Sequence, residues 1–267
     1  MARLGVAGVV LLAAAFAVAP MEAAPPPDAV RIAGGPFRMG DDGGPEDERP
    51  AHVVELRPFS IARVPVTNAE FAEFLNAVGT RNAKGENLFD ADDPDARIHR
   101  VAGRFAADAG FADHPVVEAS WTGARDYCRW RGGRLPTEAE WERAARGDAG
   151  RPYPWGIKEP DATRARFASG WNATAPVGAH PRGGTPDGVL DMAGNVHQWT
   201  ASLYGPYPYR ADDGREDLGA KGERVTRGGA HDSRSYELRS AWRGKGVSRA
   251  PQAGHHNIGF RCAWPAP

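Results

Sequence analysis

Cysteine is scarce in this chain: Cys128 and Cys262 are the only two among 267 residues. Neither stands just after the apolar N-terminal run, so lipoprotein attachment is not expected there. Charge of one sign is lacking as well. The 33 basic and 34 acidic side chains leave a formal net charge of -1, with no block of like charge. Nonspecific nucleic-acid binding needs a basic stripe, so nucleic acid is not an expected partner. Beyond residue 24 no apolar run is long enough for a transmembrane segment, which takes about 20 residues. No HExxH-like ligand spacing is present, and no nucleophile-elbow pattern surrounds Ser233. No internal repeat and no linker divides residues 30–267, so one domain is expected.

Glycine (33), proline (23) and tryptophan (8) are plentiful, with 41% hydrophobic residues to build a core. Such a chain takes its order from turns and aromatic packing more than from long helices. The first 24 residues read as a secretory signal: Arg3, then the uncharged run 4–19, then small residues at Ala17, Ala19, Ala23 and Ala24. A membrane anchor is the alternative, but the run is short and Pro20 and Pro25 to Pro27 follow at once. The expected location is therefore periplasmic or secreted. In an oxidising compartment an even pair of cysteines is expected to form one disulfide, the alternative being two buried thiols.

Three helices are legible. Thr67 and Glu70 have capping-box spacing ahead of Phe71, Phe74, Leu75 and Val78, and Gly79 can end the helix. Ser120 caps a second helix that carries Ala124, Tyr127 and Cys128 inward and stops at Gly132. Thr137 and Glu140 repeat the capping box for a third, with Trp141, Ala144 and Ala145 buried and Gly147 at its end. Short strands are expected at 36–40, within 52–66, and after residue 148 in YPWG, APVGAHP, GVLDMAGNVHQWTAS, RVTRGG and NIGFRCAW, with a Pro-rich lead-in at 25–35 and a polar excursion at 80–112. Early helices and late irregular strands give an α+β fold class. Trp155, Trp171, Trp199 and Trp242 are read as core.

Taken together, HPVVEASWTGARDYCRWRGGRLPTEAEWERAARG, YPWG, DMAGNVHQWT, RVTRGG and NIGFRCA resemble the formylglycine-generating-enzyme superfamily, the sulfatase-modifying-factor type, in the family's order over nearly all of 30–267. The resemblance implies a C-type-lectin-like fold with little regular secondary structure and a disulfide between the positions of Cys128 and Cys262. It also implies a copper(I) site of two cysteines just after the RGG turn. Those positions here are Ser233 and Leu238. A hydroxyl is a poor copper(I) ligand and leucine is none, so no copper through thiolates is expected, and no formylglycine by that route. The family's calcium loop maps onto Asp191, Gly194, Val196 and Gln198. Calcium is expected there through carboxylate and carbonyl oxygens, weakened because Gln198 stands where relatives carry Glu.

What remains near the missing pair is His231, Asp232, Ser233 and Tyr236, with His255 and His256 before GFRC and His197 in the GNVHQW loop. Imidazole plus carboxylate suits iron, zinc or copper(II), so these residues are candidates for a metal or acid–base site. The competing reading makes them loop residues bonding their own turns. Arg227, Arg239, Arg243 and Arg261 are assigned to pairing with carboxylates and carbonyls. Two functions stand side by side. One is oxidative maturation of a peptide-derived substrate, which exported relatives without the cysteine pair perform in finishing the pyoverdine chromophore, or an accessory maturation role. The other is a lectin-like binding module for a peptide, glycan or partner protein. Iron oxygenases of the ergothioneine type need an additional helical domain that this sequence does not supply.

Overall fold

A computed structural model describes residues 24–244, 246 and 250–266. Residues 1–23, which hold nearly all of the expected signal, lie outside them. Among the described residues no helix is long and apolar enough to cross a membrane.

The chain begins with β1 (Val30–Ile32), β2 (Gly35–Met39), β3 (His52–Leu56) and β4 (Phe59–Ile61). The strand β1 falls inside the Pro-rich lead-in and was not legible as a strand; its three residues take their order from β4, against which they pair antiparallel. The long stretch 52–66 breaks at Arg57-Pro58 into β3 and β4, which join different sheets. Next comes α1 (Asn68–Val78), whose capping box is present: Glu70 N donates to Thr67 Oγ1 at 3.2 Å, and Thr67 N donates to Glu70 Oε2 at 2.9 Å. Phe71, Phe74 and Leu75 are buried, whereas Val78 at the last turn is 43% exposed and leaves the core face. Residues 80–112 hold one hairpin, β5 (Ile98–Val101) with β6 (Arg104–Ala107).

The helices α2 (Trp121–Trp130) and α3 (Glu138–Arg146) start at the expected caps, Ser120 and Thr137. After α3 the described residues hold only β7 (His197–Leu203), β8 (Arg224–Arg227), β9 (Ile258–Phe260), β10 (Ala263–Pro265) and short 3-10 turns. YPWG closes a turn through a Tyr153–Gly156 bridge, and 175–181 forms no strand. This is an α+β fold with little regular secondary structure, as the resemblance implied.

The main core joins α1, α2 and β9. Phe71 packs on Phe74, Phe89, Tyr127 and Phe260 with ring centroids 5.3 to 5.8 Å apart. Cys128 and Cys262 form the disulfide at the edge of this cluster, both sulfurs buried. Across the molecule α3 lays Ala144 and Ala145 on Ile32, Phe59 and Ile61. The four arginines serve the pairing role: Arg227 and Arg243 meet Glu142 and Glu138, Arg239 clasps Glu48, and Arg261 meets Gln198.

The sheet β8-β7-β9 decides where the loops go. The strand β7 pairs antiparallel with β8, Gln198 opposite Arg227, and parallel with β9, His197 opposite Ile258. So the end of β8, the start of β7 and the start of β9 share one edge of the sheet. The segments 228–234, 191–196 and 254–257 therefore emerge together.

Candidate metal centre

Gly228 and Gly229 turn the chain off β8 with φ of 95° and 71°, a region that suits glycine. A Cβ at Gly228 would lie 3.0 Å from the Trp141 ring. The turn delivers His231, Asp232 and Ser233. His231 is fully buried, and its Nδ1 lies 3.0 Å from the Asn195 carbonyl. A carbonyl only accepts, so Nδ1 carries the proton and Nε2 presents its lone pair. That Nε2 is buried and has no hydrogen-bond partner among the described residues.

One potential ligand atom each from His231, Asp232 and His256 falls within 4.8 Å of the others. Asp232 Oδ2 is 3.2 Å from His256 Nε2, and Asn257 Nδ2 donates to the same carboxylate. These hydrogen bonds, His256 first, hold the Asp232 carboxyl well below the usual carboxylate range, so it stays ionised at any physiological pH. Burial lowers the His231 pKa, which keeps its ring neutral and able to ligate. Two imidazoles and a carboxylate on one side are a donor set for iron(II), zinc or copper(II). Trp171 stacks on His256 at 3.6 Å and is 68% exposed. It was read as core and is not: its indole N–H reaches across to Asp95 Oδ2 at 2.8 Å, forming a wall of the site instead.

The other candidates separate from this group. His255 bonds the Ala250 carbonyl and packs by Trp199. Tyr236 lies on a 3-10 turn, half exposed, and is not a member of the cluster. Ser233 is buried and its Oγ accepts from Ala230 N at 3.0 Å. Its hydroxyl lies 3.4 Å from His197 Nε2, too long for an activated nucleophile. Leu238 is wholly buried beside Tyr153, Ala165 and Ala193, so the second copper position is an apolar core site.

His197 is enclosed and stacked on Trp242. Burial pushes its pKa down to about 4 from 6.5. The unfolded chain therefore binds a proton that the folded chain refuses. Stability from this group is full above pH 6.5 and is lost as pH falls towards 4. The shift corresponds to about 3 kcal/mol. Urea denaturation at pH 7 and pH 4 is expected to show a steeper loss for the native protein than for His197→Gln, by about that amount. Parallel pH dependence in the two proteins would refute it.

The calcium expectation meets a divided donor set. Asp191 is buried, and desolvation raises its carboxyl pKa, a cost that a cation would offset. Its Oδ2 accepts from Gly178 N at 2.6 Å. Gln198 does not fit: its Oε1 accepts from Trp141 Nε1 and Arg261 Nε, and its Nε2 donates to the Asp191 carbonyl. Arg261 Nη2 takes that same carbonyl at 2.9 Å. Gln198 could not hold an ion without releasing Arg261.

The fold, the RGG turn and the buried disulfide define a formylglycine-generating-enzyme scaffold, with Ser233 and Leu238 at the two positions matched to the cysteine pair. The chain matches the sulfatase-modifying factor enzyme 1-like domain over residues 15–266 and belongs to that family. It is 38% identical to the formylglycine-generating enzyme of Streptomyces coelicolor, covering 88% of each chain. It is 39% identical to the serine/threonine-protein kinase pkn1 of Chlamydia caviae over 88% of this chain, but spans only 37% of that kinase's length. Among solved structures, PvdO from Pseudomonas aeruginosa superposes with a TM-score of 0.68 at 31% identity, covering 89% of this chain and 94% of that one.

Proposed function

We propose that this protein is an exported member of the family that uses an imidazole–carboxylate metal site, at the loop where relatives carry copper-binding thiols, in oxidative maturation of a peptide-derived substrate. The observation that carries the reading is the buried, unpartnered Nε2 of His231, on a ring that clusters with Asp232 and His256. The Asn195 carbonyl fixes the tautomer and Asn257 orients the carboxylate, which is the outer-shell support that metal ligands need. A bound iron or copper would supply the redox chemistry. Trp171, flat and exposed over His256, offers a stacking surface for a planar or peptide group. The apolar leader and the disulfide support an oxidising compartment.

Elemental analysis of the purified full chain tests the proposal. Iron or copper at about one ion per chain is expected, and His231→Ala should lower it about 10-fold or more. Circular dichroism keeps loss of metal distinct from loss of fold. Protein free of transition metal, with His231→Ala unchanged in ligand binding, would favour the second reading, a binding module whose contact surface is Trp171. The same analysis reports calcium, which we place at Asp191, Gly194 and Val196.

A further inference from the structure

A second group of carboxylates lies on the far side of Trp171. The loop 90–95 follows Phe89 and brings Asp93 and Asp95 beside Glu118, with one oxygen from each within 4.8 Å of the others. The loop is held in shape from within: Asp93 N donates to the Asp90 carbonyl, and Asp95 N to Asp93 Oδ1 at 2.8 Å. Asp90 is tied down separately, by Asn87 and by Gly254 N. Among the described residues no Arg, Lys or His forms an ion pair with Asp93, Asp95 or Glu118.

Glu118 is the independent sign of a ligand. It is 2% exposed, its carboxyl accepts no hydrogen bond from any described donor, and one of its oxygens lies within 4.8 Å of an oxygen of each aspartate. A buried carboxyl with no hydrogen-bond donor is ordinarily neutralised, either by holding a proton or by binding a metal. Its backbone is fixed on both sides, Glu118 N donating to the His255 carbonyl and Asp90 N to the Glu118 carbonyl, so the side chain cannot swing out without moving the loop.

We propose that Asp93, Asp95 and Glu118 form a binding site for a hard divalent cation of the calcium class. The donors are all oxygen, which favours calcium over the softer ions that imidazole attracts. The site is separate from the Asp191 set and from the His231 cluster. It is joined to the latter by one side chain: Asp95 Oδ2 accepts the indole N–H of Trp171, and Trp171 stacks on His256. An ion on Asp95 therefore fixes one wall of the metal centre without touching it.

Calcium titration of the chelator-treated full chain by calorimetry tests this, with terbium as a luminescent substitute. Terbium bound here should emit under tryptophan excitation, because Trp171 is hydrogen-bonded to a ligand residue. Glu118→Gln and Asp93→Asn should each weaken calcium binding about 10-fold or more, since each removes one ligand charge. Asp191→Asn should leave this binding event in place. Trp171→Phe should cut the sensitised emission severalfold while calcium still binds. Asp93 is only half buried, so Asp93→Asn reports on the site even if Glu118→Gln fails to fold. Calcium binding of equal strength in the native, Glu118→Gln and Asp93→Asn proteins would overturn the proposal, as would no binding in the native protein.

Discussion

Glu142→Ala is expected to destabilise the protein by about 3–5 kcal/mol, enough to leave a single domain largely unfolded or nearly so. Glu142 sits wholly buried on α3 and joins three elements. Its Oε2 meets the Arg227 guanidinium at the end of β8. Its Oε1 accepts from Arg146 Nη1 at 2.9 Å and from Gly40 N at 2.7 Å, just past β2. Removing it leaves Arg146 without a carboxylate, Arg227 with only the longer 3.6 Å contact to Glu138, and a backbone amide unpaired, all away from water. Arg227 also donates to the carbonyls of Ser240, Ala241 and Trp242, so the arginine cannot simply turn outward. Arg227→Met is expected to be destabilising too, by exposing those three carbonyls and leaving Glu142 with Arg146 alone. The double variant should cost less than the sum of the two single variants, because the Arg227 charge is gone and only Arg146 still lacks its carboxylate. Urea denaturation of the three proteins checks the cycle; strict additivity would show that the pair does not act together. The effect reaches the metal centre, since Arg227 immediately precedes the Gly228-Gly229 turn that presents His231 and Asp232.

The helices and the metal centre differed in how far the amino-acid sequence disclosed them, and for physical reasons. Capping boxes are local: Thr67 with Glu70 and Thr137 with Glu140 need only three residues to declare a helix start, and all three N-caps stand where the spacing put them. The stretch GVLDMAGNVHQWTAS read as one strand but is a strand only from His197, because Asp191, Gly194 and Asn195 take positive φ and turn the chain first. The strand β1 lacked any signal of its own, its order coming from a partner about thirty residues away. At the site, residues one step apart in sequence parted company. His255 and His256 looked equivalent, yet only His256 reaches Asp232; its neighbour bonds Ala250. Tyr236 was a plausible companion by proximity and lies on the outer turn instead. Glu118 gave no hint, since its aspartate companions stand more than twenty positions earlier and only the fold brings them together. Trp171 was assigned to the core on ring size alone, a criterion blind to the polar loop it spans.

Replacing Cys128 and Cys262 by alanine is expected to cost about 5 kcal/mol, from the entropy that a cross-link over 134 positions removes from the unfolded chain. The bond ties α2 to the segment between β9 and β10, so it staples the last strands to the first core. Arg261, the residue before Cys262, holds the carbonyls of Ala62, Leu190 and Asp191. Loosening that segment frees the end of β9, and through this three-residue strand the His256 loop at its start. Metal content and stability should therefore fall together in the double alanine variant, and dithiothreitol should reproduce the loss in the native protein only once the fold opens, because both sulfurs are buried. Thiol titration of the native protein in guanidinium, without reductant, is expected to find no free thiol. Finding two would return a pair of soft ligands to the molecule and remove the reason for assigning its chemistry to imidazole and carboxylate.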